Sequence, residues 1–133
     1  MAVQRPENAK HNPFKSANAV NLVDFTIGAE AANIINVALQ FKDSRGNECA
    51  ERVSVLAYIS DDAEGDDVTA SAPTTVAIGT DGLAIALVAG KTFLLTSEVD
   101  GDLDLNLTYA GGAATWYLNI VMPDGSIITA FPF

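Results

Sequence analysis

An antiparallel β-sandwich with immunoglobulin-like connections is the fold class this sequence predicts, on three observations. Short runs alternate apolar and polar residues with the period of two that marks a half-buried strand. Turn chemistry recurs at intervals of about 8 to 12 residues. No stretch carries a convincing amphipathic helical pattern, so the apolar faces must bury one another as sheets. Eight or nine strands fit this reading, with a jelly roll or small barrel as the alternative. The cysteine pair of antibody domains is absent, because the chain of 133 residues has one cysteine.

The elements follow in order. Residues 1–22 read as an extended arm and 23–133 as the sandwich domain. Val23 to Ile27 is the first predicted strand, closed by Gly28. The segment from Gly28 to Ile35 is too short for an independent helix and reads as a loop. Ile35, Val37, Leu39 and Phe41 then share one face of a strand, with Asn36, Gln40 and Lys42 on the other. Asp43 to Asn47 forms the following turn, with Gly46 suited to positive φ and Asp43 placed to accept from the amides after it. Arg52 to Ser60 alternates again, with Val53, Val55, Ala57 and Ile59 inward, and is expected to form a hairpin with the preceding strand. Four short pieces come next: Thr75 to Ile78, the Thr80-Asp81-Gly82 turn, Leu83 to Val88, and Phe93 to Thr96. Leu103, Leu105, Leu107 and Tyr109 define a strong alternating strand that Gly111-Gly112 interrupts. In the next strand Trp116, Leu118 and Ile120 oppose Tyr117, Asn119 and Val121, which puts the tryptophan in or beside the core. Pro123-Asp124-Gly125 is a turn, and Ser126 to Phe131 completes a hairpin.

Composition narrows the function. The apolar content of 49% is that of a globular chain. The net charge is −10, and sixteen of the seventeen acids but only four of the seven basic residues lie beyond residue 15. Such a body disfavours nucleic acid and anionic membranes as partners, since both are held by clustered Lys and Arg. No segment has the length of a membrane span or the apolar stretch of a signal peptide, and the expectation is a protein made and used soluble. Cys49, without a partner, reads as a small residue near a turn.

No arrangement of residues calls for catalysis. The sole histidine, His11, lies in the arm, and no nucleophile elbow or phosphate-binding glycine motif occurs. No cofactor and no transition metal are expected from one Cys and one His far apart. Asp61 to Asp67 holds five carboxylates and reads as a solvated loop, with calcium binding as the alternative. Asp100 to Asp104 mimics the start of an EF-hand loop, but Leu105 stands where that loop needs glycine and Gly111 where it needs glutamate. The carboxylates lack the aromatic groove expected of a glycosidase. The expectation is a protein that is not an enzyme.

The remaining candidate site is the arm with the far terminus. Arg5, Lys10 and Lys15 supply positive charge, Phe14 an anchor, and two prolines resist regular structure; such a segment can order by draping over an acidic partner. Phe131 and Phe133 sit at the other end and must pack on the domain or on a partner. Partner binding is therefore assigned to Arg5, Lys10, Phe14, Lys15, Phe131 and Phe133.

The strings FTIGAEAANIINVALQFKD, ERVSVLAYISDDAEGD and WYLNIVMPDGSIITAF resemble the Ig-like head decoration, or cement, proteins and related accessory virion proteins of tailed bacteriophages. The resemblance spans roughly residues 23 to 131 and rests on strand and turn patterns rather than on a functional signature. It implies a non-enzymatic protein that binds the major capsid protein of the assembled shell in many copies and stabilises it. It also implies a homo-oligomer, with a trimer favoured, on the outer capsid surface of the virion, made in the host cytoplasm. A ligand- or host-surface-binding module, and a tail or head-fibre component, are the competing expectations.

Overall fold

Alternation picks out most of the strands because each of these buries a single face. The computed structural model describes residues 20–111, 114–130 and 132–133. The described residues form nine strands, β1 (Val20–Ile27), β2 (Ile34–Asp43), β3 (Ser54–Ser60), β4 (Thr75–Ile78), β5 (Leu83–Val88), β6 (Thr92–Thr96), β7 (Asp102–Thr108), β8 (Tyr117–Val121) and β9 (Ile127–Thr129). They form two wholly antiparallel sheets, a four-stranded one in the order β1-β2-β7-β4 and a five-stranded one in the order β5-β6-β3-β8-β9. Neither sheet closes on itself, so the architecture is a sandwich and not a barrel. Without the β5–β6 hairpin the orders become 1-2-7-4 and 3-8-9. That is the ABED and CFG arrangement of a seven-stranded immunoglobulin-type domain. The hairpin is an addition beside β3, and it makes β5 the outer edge of the larger sheet.

The core lies between the sheets. Val37, Leu39 and Phe41 of β2 and Leu103, Leu105 and Leu107 of β7 meet Val55, Ala57 and Ile59 of β3, Phe93 and Leu95 of β6, and Leu118 and Ile120 of β8. All are buried, as their period of two requires. Trp116 joins them at one end of the sandwich. Its indole N–H donates to the Ser71 carbonyl at 2.9 Å, and its ring meets Tyr109 edge to face at 4.9 Å.

Two expectations need correction. The first strand begins at Val20 and not at Val23, because Val20 and Leu22 already pair with Asp43 and Lys42. The connection to β2, residues 28–33, is a loop as expected, and a two-residue turn forms its tip. Ala31 and Ile34 exchange both backbone hydrogen bonds at 3.0 Å, and Ala32 and Asn33 take φ of 55° and 65°. Both central residues are left-handed, as the twist-matched hairpin turn demands; Asn tolerates this and Ala is strained by it. The second correction concerns topology. Strands β2 and β3 do not form a hairpin but lie in opposite sheets. The Asp43 turn forms as expected, with Oδ1 accepting from the amides of Arg45 and Asn47, but the chain then crosses the sandwich. Buried Cys49, whose N–H donates to the Phe41 carbonyl, and buried Val53 pin that crossing to the core.

Candidate docking face

The outer faces of the two sheets differ in chemistry. On the four-stranded sheet the cross-strand rows are polar: Asp24, Gln40 and Asp102 stand in register, as do Asn36 and Asn106. The Asn36 amide donates to Asp104 at 2.7 Å and to Asn106 at 2.9 Å. This is the ordinary condition of a sheet with one wet face.

The five-stranded sheet breaks that rule. Ile85, Leu94, Leu56, Val121 and Ile127, one from each strand in spatial order, are paired in register across its whole width. Ile85, Leu56 and Ile127 are 48%, 49% and 49% exposed, and Leu83, Leu87 and Val88 add further exposed aliphatic surface on β5. Single exposed aliphatics are common on protein surfaces; a continuous row across a sheet marks an interaction surface.

The acidic loop after β3 forms one wall of this face. Asp61 accepts from the Thr69 hydroxyl and, at 3.2 Å, from the Ala70 amide. Asp62 accepts from the Gly65 amide at 3.0 Å. The Tyr58 hydroxyl donates to the Gly65 carbonyl, and the Thr69 amide to the Ile59 carbonyl at 2.7 Å. Burial, helped by the negative charge of Asp66 and Asp62, raises the pKa of the Tyr58 phenol, so it remains a donor at neutral pH. Beneath the loop lies Asn119, on the outward face where alternation puts it but fully buried. Its amide donates to Ser60 Oγ at 2.9 Å and its oxygen accepts from the Thr129 hydroxyl at 2.7 Å. The loop and sheet enclose an open groove of about 560 Å³, floored by Leu56, Val121 and Ile127, walled by Leu87 and Val68, and rimmed by Asp66 and Asp67.

Two of the five loop carboxylates are thus engaged in holding the loop in shape. Among the described residues no cluster of three or more Asp, Glu, Cys or His side chains is arranged to hold a metal ion. Carboxylates also gather around the turn before β5. Asp104 accepts from the amides of Thr80 at 2.8 Å and Asp81 at 2.7 Å. Burial pushes its pKa up, but these amides and that of Asn36 outweigh burial and hold it below the usual value. Asp81 is raised by desolvation and then by the charge of Asp102, with Asp104 and Glu98 adding to it.

Of the residues assigned to partner binding, Arg5, Lys10, Phe14, Lys15 and Phe131 lie outside the described residues. Phe133 is half-buried, packs against the core and exchanges both backbone hydrogen bonds with Trp116. It also lines a cleft of about 470 Å³ with Tyr109, Trp116, Glu30 and Asn33 at the end of the sandwich. Sequence reasoning missed the apolar row. Its signal was present as failed alternation: LAIALV in β5 has no polar residue, and Leu56, Leu94 and Val121 occupy outward positions where a wet face would carry polar ones.

No protein-family model and no curated protein matches the chain. Among solved structures, a cohesin module from a family 33 glycoside hydrolase of Clostridium perfringens ATCC13124 aligns with 86% of this chain and 93% of its own. The identity is 15% and the TM-score 0.43, a likeness too slight to bear on function.

Proposed function

We propose that this protein is a non-enzymatic structural module that works by docking onto a protein surface, and that the surface is the assembled capsid shell of a tailed phage. The observation that carries the docking reading is the in-register apolar row across the five-stranded sheet, the kind of surface that protein partners cover. The shell as partner rests on the resemblance of the strand and turn strings to head decoration proteins. In this reading the apolar face lies against the major capsid protein. The basic arm, with Arg5, Lys10, Phe14 and Lys15, reaches along the shell, and fifteen residues span at most about 50 Å. The polar outer face of the four-stranded sheet, carrying Asp24, Asp102 and Asp104, points to solvent and keeps a heavily decorated particle soluble. Many copies on one lattice gain avidity from contacts with their neighbours.

Co-sedimentation with purified shells tests this. The protein is expected to load to a fixed stoichiometry, and Leu56→Asp, an exposed position that leaves the core intact, is expected to weaken loading at least roughly tenfold, since it sets a charge in the desolvated centre of the contact. Removal of residues 1–15 is expected to weaken loading further. A wild-type protein that ignores shells, or a Leu56→Asp protein that loads normally, contradicts the proposal.

A further inference from the structure

The two sheets have four edges, formed by β1, β4, β5 and β9. An open edge offers unpaired backbone N–H and C=O groups to any other strand, and soluble proteins blunt such edges with charge, proline or shortness. Three of these are blunted. Strand β1 carries Asp24, in an ion pair with Lys42 at 2.6 Å. Strand β4 has four residues and β9 three. Strand β5 lacks charge and proline, and its register shift between Ala86 and Val88 leaves Leu83 to Ala86 regularly paired with β6 and without such protection. It is six residues long, and from Gly82 to Gly90 the chain has neither a charge nor a proline. Leu87 and Val88 are 57% and 52% exposed.

We infer that β5 is a self-association edge, which pairs antiparallel with β5 of a second copy to join two five-stranded sheets into one of ten strands.

Charge selects a second copy and the antiparallel sense. Two chains of net charge −10 repel over most of their surfaces, and the Gly82–Gly90 segment carries no charge of its own to oppose their approach. The charged residues that flank β5 in the chain differ in sign at its two ends, with Asp66 and Asp67 rimming the groove beside Leu87. Before Leu83 stands Asp81, crowded by Asp102, Asp104 and Glu98. After Val88 stands Lys91, which makes no ion pair among the described residues. Antiparallel pairing brings the lysine end of each copy to the acidic end of the other, whereas parallel pairing brings like ends together. The joined sheet also runs the apolar row of one copy into that of the next, through Ile85 of each. The product is a two-fold dimer in place of the trimer that the resemblance implies.

Sedimentation of the full chain over a wide concentration range tests the inference, which stands on the edge itself and not on the identity of the shell. Wild type is expected at twice its 13.9 kDa mass. Leu87→Lys, at an exposed edge position, is expected to be monomeric with an unchanged far-ultraviolet spectrum. Lys91→Glu is expected to weaken the dimer roughly tenfold, by losing two attractions and adding two repulsions. Ile127→Lys, on the far edge of the same face, is expected to leave the dimer intact. In wild type, the exchange of β5 amide hydrogens is expected to slow as the dimer forms. A monomer at all concentrations, a trimer, a dimer that survives Leu87→Lys, or one that Ile127→Lys dissolves overturns the inference. A monomer that still loads onto shells would overturn the pairing alone, and a dimer that ignores shells would overturn the docking proposal alone.

Discussion

Asp104 shows how one side chain in an alternating strand acquires a structural task. The strand pattern places it on the wet face with Asp102, and nothing in that pattern separates the two. In the fold Asp104 receives the turn before β5 and, through Asn36, ties β2 to β7. Gly79 permits the approach, because a Cβ there would lie 2.1 Å from the Asp104 carboxylate. The folded-state pKa of Asp104 lies below its ordinary 3.8, so the stability it contributes is full above that value and lost as pH falls through the lowered one. Asp81 has the opposite sign. Its folded pKa is raised, so its ionisation opposes folding at neutral pH, and the penalty disappears once the pH falls below 3.8. Thermal melts from pH 2 to pH 7 separate the two. Asp104→Asn is expected to lower stability at pH 7 by about 1 kcal/mol, discounted for partial exposure, with the gap to wild type closing in acid. Asp81→Asn is expected to raise the melting temperature at pH 7 and to match wild type below pH 3.8.

At the scale of elements, most strands were legible in the sequence because they bury one face against a single core, while β5, exposed along nearly its whole length, was marked only by its flanking turns. Their partners were less so. Alternation carries no label for which sheet a strand joins, and the β2–β3 connection resembles a hairpin until the burial of Cys49 and Val53 reveals a crossing. The site was illegible for a related reason. Reading Leu56 and Val121 as outward residues was possible, but only the register that aligns them with Ile85, Leu94 and Ile127 turns separate aliphatics into a surface. Nor does the sequence show that the acidic loop folds back over Asn119. That closure makes its own prediction. Gly65 has a φ of 66°, and a Cβ there would stand 2.5 Å from Asn119 Oδ1. Gly65→Ala is therefore expected to cost about 1–3 kcal/mol through backbone strain and the disturbed amide network. Hydrogen exchange should localise the loss: amides from Gly65 to Thr69 should exchange faster while those of β2 and β7 stay protected. Uniform loss of protection in all strands would show that the loop is not a separable wall of the groove.

At the scale of the whole molecule, the two outer faces of the sandwich differ in chemistry. A polar sheet face and an apolar one enclose one core, and the added β5–β6 hairpin widens the apolar one while leaving its edge unblunted. Immunoglobulin-type order accounts for seven of the described strands; the β5–β6 hairpin is what this chain adds, supplying Phe93 and Leu95 to the core, part of the proposed docking face and the whole of the proposed self-association edge. Cryo-electron microscopy of decorated shells measures the orientation directly. The account predicts density for Leu56, Leu94 and Val121 against the shell, with the Asp24 and Asp102 face outward. A decorated shell in which the five-stranded sheet faces solvent would contradict it.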